Sequence, residues 1–143
     1  MQVIGFNFKK ILGEKLLTFN NTAINTNIEF NDISKEKLDF IKDEDALKIS
    51  FIYSLIYNDP DKKEQKYAEL FLEGEIALAT NKEESKNILK AWKKKEIPED
   101  VKLPLFNLIL KKCTKRAIAL QDELNLPTHI QLPKLKKQVE TSS

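Results

Sequence analysis

Residues 103–126 constrain this chain most. They read LPLFNLILKKCTKRAIALQDELNL. Phe106, Ile109, Cys113, Ala117, Leu120 and Leu124 recur at steps of three and four, the spacing of one face of an α-helix. Leu105, Leu108, Leu110 and Ile118 add a second apolar flank. The remaining polar edge is narrow: Lys111, Lys112, Lys115, Arg116, Gln121 and Asp122. Begun at Pro104, such a helix would run about 30 Å at roughly 1.5 Å per residue. Apolar on more than one side, it needs cover on more than one side. The rest of the fold, or a partner subunit, must pack against it.

The bulk numbers bound what else the chain can be. Its 143 residues are enough for one domain spanning residues 1–143 with a real core. Charged residues make up 32% and apolar ones 41%, a soluble globular balance. No run approaches the roughly 20 apolar residues that span a bilayer, so no membrane insertion is expected. The opening MQVIGFNFKK lacks a charged n-region and a small-residue cleavage site. A single cysteine excludes an internal disulfide framework and suits a reducing compartment. A cytoplasmic location is therefore expected. The formal net charge of +2 does not call for a nucleic-acid partner. That charge is unevenly spread: residues 1–80 hold 10 basic and 14 acidic side chains, residues 81–143 hold 14 and 8.

In order, strands come first and helices last. Ile4, Phe6 and Phe8 alternate with Gly5 and Asn7, and the pattern resumes loosely through Ile11 to Leu17, which predicts a strand with an irregularity near Gly13. Asn20-Asn21 marks a turn. Ile24, Thr26, Ile28 and Phe30 alternate with Asn25, Asn27, Glu29 and Asn31, a half-buried strand. Residues 35–45 are charged and anchored only by Leu38, Phe40 and Ile41, and read as a connection crossing the sheet or its edge. A third strand covers 46–57, with Leu47, Ile49, Phe51, Tyr53, Leu55 and Tyr57 on one face and Ile52 and Ile56 on the more polar one. The turn Asn58-Asp59-Pro60-Asp61 follows. The fourth strand, 65–80, sets Ala68, Leu70, Leu72, Gly74, Ile76 and Leu78 against Glu69, Phe71, Glu73 and Glu75. Short connections favour antiparallel pairing. Thr80 with Glu83 fits a capping box opening a helix over 81–95, with Ile88, Leu89 and Trp92 on one side and Lys93 to Lys95 at its end. Pro104 begins or kinks the long helix. Pro127 and Pro133 bracket an apolar lip, and residues 134–143 form a frayed tail. The order of periods, two and then 3.6, predicts an α+β fold: a four-stranded antiparallel sheet packed by a long C-terminal helix, with a shorter helix before it.

The inventory for chemistry is thin. Cys113 lies on the apolar stripe and reads as a small buried hydrophobe. His129, the only histidine, has no nucleophile motif beside it. Metal sites need several His or Cys ligands at set spacings, and these do not exist here. Asp43-Glu44-Asp45, Asp59 and Asp61 lack calcium-loop spacing and read as solvated loops. There is no phosphate-binding glycine loop. Lys111, Lys112, Lys115 and Arg116 could line up for RNA, but a solvated or interface-pairing helix edge fits them better. No catalytic residue, cofactor or metal is expected, and the chain reads as a binding protein and not an enzyme. Contiguous apolar residues outside the core are the candidate binding surface: Phe71, Ile52 and Ile56 on the sheet, Trp92 on the first helix, and Ile130 and Leu132 in the lip.

The order of these elements resembles the SecB protein-export chaperones. The resemblance covers residues 3–135. Glu73-Gly74-Glu75-Ile76 matches the glycine and apolar position of the family's fourth strand. Leu126-Pro127, Ile130, Leu132 and Pro133 match its proline-bounded segment with about one residue of slippage. Leu103-Pro104-Leu105-Phe106 stands where the family has Leu-Phe-Pro-Tyr-Ala-Arg, so the proline is displaced and the Tyr-Ala-Arg is absent. The segment 81–102, with Trp92, is longer and more helical than the family's connection, and where the family has a further C-terminal helix this sequence runs ten residues past Pro133. The resemblance implies an ATP-independent holdase for unfolded or non-native polypeptides, of the kind used in protein export. It also implies a homotetramer built as a dimer of dimers, with Leu105, Leu108, Ile109, Lys112 and Arg116 at the helix interface. Docking to the motor SecA is not carried over, because the family is acidic and this chain has a pI near 8.5. Two alternatives inside and outside the family stand beside this: a chaperone dedicated to an antitoxin, and a carrier of small hydrophobic ligands in a sheet-and-helix cavity. A structural or assembly subunit without a client is a third class.

Overall fold

The computed structural model describes residues 1–37 and 44–133. Four strands, β1 (Gln2–Lys15), β2 (Ala23–Lys37), β3 (Glu44–Asn58) and β4 (Lys66–Asn81), precede two helices, α1 (Lys82–Trp92) and α2 (Glu99–Glu123). The expected α+β architecture is present: the sheet is antiparallel throughout, in the order β1-β4-β3-β2. β1 and β2 therefore lie at opposite edges although they are consecutive in sequence. The chain between them crosses one end of the sheet. There Leu16 and Leu17 donate backbone N–H groups to the Tyr67 carbonyl, Phe19 stacks on Tyr67 with centroids 5.0 Å apart, and Thr22 Oγ1 donates to the Asn58 carbonyl.

Period-two alternation explains why one face is core. Leu47, Ile49, Phe51, Tyr53, Leu55 and Tyr57 on β3, and Leu70, Leu72, Ile76 and Leu78 on β4, have no exposed surface. Each such burial contributes roughly 1.5–3 kcal/mol of transfer free energy. α2 closes this face with Val101, Leu105, Ile109, Cys113, Ala117, Leu120 and Gln121, and α1 with Ile88.

Five local expectations are corrected. Residues 35–37 and 44–45 are strand, with Lys37 opposite Asp45, so β2 and β3 are direct neighbours and both described ends of the expected connection belong to the sheet. Leu38, Phe40 and Ile41 lie outside the described residues, as does the tail expected at 134–143. The irregularities of β1 fall at Val3/Gly5 and Phe8/Lys10, not at Gly13, which pairs regularly with Leu70. Gly13 instead leaves room for α2: a Cβ there would meet Leu124 Cδ1 at 2.8 Å. The capping box sits one residue later than expected. Asn81 Oδ1 accepts from the Glu84 N–H at 2.8 Å and Glu84 Oε1 accepts from the Asn81 N–H at 3.2 Å. Thr80 is unavailable for capping because it is buried in the sheet, its hydroxyl directed to the Asp45 carbonyl. Finally, α2 starts at Glu99 with Pro98 as its N-cap, and Pro104 lies inside it. The buried column is Leu105-Ile109-Cys113-Ala117, while Phe106 sits half-buried at its side, stacked on Phe30 at 5.2 Å.

Candidate functional site

The helices cover one face of the sheet; among the described residues no element covers the other. On that outer face Phe71 lies opposite Leu12 on β1 and Ser54 on β3. Ile52 and Ile56 stand two residues either side of Ser54, diagonal neighbours of Phe71. Diagonal positions are about 7–8 Å apart, within reach of long and aromatic side chains. The pattern that made these residues stand out in sequence thus places them together, and adds Leu12, which the loose alternation of β1 did not reveal. All four are half-buried by their neighbours in the sheet and not by a covering layer.

Carboxylates frame this apolar patch. Ile52 is flanked across the strands by Glu29 and Glu73, and Ile56 by Asn25 and Glu69. Lys10 Nζ lies 5.4 Å from the Phe71 ring centroid, a cation–π distance. Further along the face, Lys48 pairs with Glu36 at 3.0 Å and more loosely with Glu75 at 3.9 Å, while Lys9 reaches Glu75 at 3.4 Å. Hydrogen bonding to Glu36 and the two nearby carboxylates raise the Lys48 pKa.

The other expected binding residues lie elsewhere. Trp92, half-buried, lines a hollow on the helix side with Phe30, Ile97 and Lys102, and Lys95 Nζ sits 4.8 Å over its ring. Ile130 and Leu132 are 40% and 43% exposed in the lip, also on the helix side. The six expected residues therefore fall into three patches on two faces and do not form one site.

A polar latch holds the lip. His129 Nε2 is 3.1 Å from the Tyr53 hydroxyl, and His129 Nδ1 is 3.0 Å from Gln121 Nε2. Gln121 Nε2 also donates to the Tyr57 hydroxyl at 2.7 Å, and Tyr57 donates to the Pro127 carbonyl. Since Gln121 donates, Nδ1 is the acceptor and Nε2 carries the proton. Burial lowers the His129 pKa and raises that of Tyr57; it pushes Tyr53 up to about 12. Gln121 Oε1 is buried with no partner. The lone histidine is thus a structural pin between β3, α2 and the lip. Cys113 is fully buried, and burial pushes its thiol up to about 12, which makes it inert as a nucleophile. Among the described residues no group of three or more His, Cys, Asp or Glu side chains is placed to hold a metal ion.

The expected interface residues divide. Leu105 and Ile109 lie in the core of their own protomer, with no exposed surface, so neither offers anything to a second chain. Leu108 is half-buried, and Lys112 and Arg116 are exposed, Lys112 Nζ lying 5.9 Å from the Phe6 ring centroid. The outward side of α2 carries Leu103, 62% exposed, and Leu110, 42% exposed, two turns apart. These, with Met1, with Val3, Ile4 and Ile11 on the open edge strand β1, and with Leu16 and Leu17 just after it, are the exposed apolar residues that sequence reasoning missed. The signal was present for Leu103 and Leu110: the helix has more apolar columns than one sheet can cover. No described helix is long and apolar enough to cross a membrane.

Comparison with known proteins places the fold. No family model matches the chain. No curated protein matches it in sequence. Among solved structures it is similar to the Mycobacterium tuberculosis Rv1957 SecB-like chaperone, solved in complex with a ChAD peptide from the Rv1956 HigA1 antitoxin. The match covers 96% of this chain and 92% of that one, with a TM-score of 0.52 and 14% sequence identity. The fold of this chain is therefore SecB-like, shared across nearly its whole length with a chaperone of very different sequence.

Proposed function

We propose that this chain is a chaperone that holds unfolded or non-native polypeptide without ATP, and that it works as a homo-oligomer in the cytoplasm. The observation that carries this is the outer sheet face, where Phe71, Ile52, Ile56 and Leu12 converge although, among the described residues, no element packs on them. A soluble chain that leaves grouped apolar residues outside its core usually has something to bind there. The SecB-like fold supports the same reading, since the chaperone that shares it was solved holding a peptide. Apolar burial at roughly 25 cal/mol per Å2 is non-directional, so binding would be broad and not sequence-specific. The open edge of β1 would add backbone hydrogen bonds to an extended client. Ile130, Leu132 and Trp92 would form secondary contacts on the helix side.

The interface we propose uses the outward side of α2, Leu103 and Leu110, and the flank formed by Leu108, Lys112 and Arg116. A tetramer made of two dimers would bury that side between two sheets. Catalysis and cofactors play no part in this proposal, and neither does a motor protein.

A second reading is narrower: the client is one antitoxin and not unfolded chains in general. The antitoxin peptide bound to the SecB-like chaperone of known structure favours it. One experiment separates the two. The purified protein is mixed with a chemically unfolded model protein during dilution, and light scattering follows aggregation. Suppression at stoichiometric ratios supports the general holdase. No suppression by the folded oligomer would sink it and leave the dedicated chaperone.

A further inference from the structure

Away from the sheet face, a surface hollow of about 700 Å3 lies between α1 and the ends of β2 and β3. Lys35, Lys82, Lys86, Lys90 and Lys93 line it, together with Leu89, Ser85 and one carboxylate, Asp45. Lys82, Lys86, Lys90 and Lys93 follow one another at helical steps of four, four and three. At roughly 1.5 Å per residue they form a ladder about 16 Å long, one ammonium per turn. Asp45 is engaged with Lys35 at 3.4 Å. Lys86, Lys90 and Lys93 make no ion pair among the described residues. Among the described residues the lining is therefore mainly cationic, and like charges at adjacent turns are unfavourable unless something neutralises them.

The floor adds an independent observation. Ser85 is 1% exposed, and its hydroxyl has no hydrogen-bond partner. A buried hydroxyl without a partner is uncommon and asks what would satisfy it. Here it lies in a lining made of lysine side chains, Leu89 and Asp45.

We propose that this hollow binds a chain of phosphates, either as a free oligophosphate or as the phosphate tail of a nucleotide. The ligand class follows from the residue types. The hollow has no arginine fork, which would grip carboxylate and phosphate alike, and so offers point charges only. Lysine acts as a point charge suited to phosphate, and a row of lysines suits phosphates in a row. Phosphate oxygens also accept from a hydroxyl such as that of Ser85. This site is distinct from the apolar face proposed above, and its occupant would leave that face free.

The test uses titration calorimetry on the full-length protein with sodium tripolyphosphate, with ATP and with a glutamate-rich peptide. Tripolyphosphate should bind and the peptide at least tenfold more weakly. The double variant Lys86→Glu with Lys90→Glu should lose tenfold or more, and Ser85→Ala a few-fold. The double variant Lys111→Glu with Lys115→Glu, equally cationic but on α2, should stay within twofold of the parent. ATP matching tripolyphosphate assigns the site to the phosphate chain itself; ATP binding more tightly assigns it to a nucleotide. Equal binding of the acidic peptide, equal loss in the α2 variant, or no binding by the parent overturns the proposal. Circular dichroism melts confirm that each variant is folded. Aggregation suppression by the Lys86→Glu, Lys90→Glu variant should match the parent, so failure here and failure of the chaperone reading are told apart.

Discussion

Position 74 leaves no room for a side chain. A Cβ there would sit 2.7 Å from the Asn7 carbonyl oxygen and 2.7 Å from Cζ of Phe51, the ring that covers this point of the sheet. Gly74→Ala should destabilise the fold by about 1–3 kcal/mol, the usual cost of overpacking. The check is a lower urea midpoint with an unchanged slope. His129 gives a pH prediction. Its pKa is lowered by burial from the ordinary 6.5, so the unfolded chain binds this proton more readily than the fold does. The stability it contributes is complete above pH 6.5, declines as pH falls through that value, and levels off below the folded-state pKa. His129→Gln should flatten that part of a stability–pH curve; a slope unchanged by the substitution would contradict the latch. The latch itself was not legible in the sequence. Gln121 stood on the polar edge of the helix pattern; it continues the Leu105-Ile109-Cys113-Ala117 column by four residues, but the pattern favoured the column through Phe106. Only the sheet brings the Tyr53 and Tyr57 hydroxyls to the same point as His129.

The elements were more legible than their ends. Strict alternation along β3 and β4 identified the core face because a half-buried strand repeats every two residues, and the two strands agree residue by residue across their register. Helix α2 was legible as a helix but not in its rotation. Leu105 and Phe106 are both apolar, so the pattern alone could not say which column meets the sheet. Caps were misplaced for a comparable reason: Thr80 and Asn81 can both cap, and burial of Thr80 in the last rung of β4 decides for Asn81. Asn81→Ala should cost about 1 kcal/mol, the usual loss for an N-cap side chain. Thr80→Ala should leave the start of α1 unchanged. Amide exchange at Glu84, whose N–H the Asn81 side chain accepts, separates the two. The edge positions of β1 and β2 were also hidden. Their connection is short enough for a hairpin, and the crossing is fixed by Phe19 against Tyr67 and Tyr57, a contact between residues distant in sequence.

At the scale of the molecule, two of the apolar surfaces outside the core carry the proposal, the outer sheet face and the outward side of α2. Assigning the first to clients and the second to other copies gives separable outcomes. Leu110→Glu should leave the protomer folded, since Leu110 is exposed there, yet reduce the mass measured by light scattering, because a carboxylate buried without a partner is costly. Ile109→Glu should unfold the protomer instead of splitting the assembly, because Ile109 lies in the core. A parent already monomeric at tens of micromolar, on the order of a weak dissociation constant, would remove the oligomer from the account. The proposed function was legible only as a class. The composition offered no chemistry and the elements came in the SecB-like order, but the convergence of Phe71 with Ile52, Ile56 and Leu12 needed the sheet register. The most direct measurement is aggregation of a chemically unfolded protein in the presence of the parent and of the triple variant Phe71→Ser, Ile52→Ser, Ile56→Ser. The account predicts that the parent suppresses scattering and that the variant, still folded and of the same mass, loses most of that suppression. Equal suppression by parent and variant would contradict it.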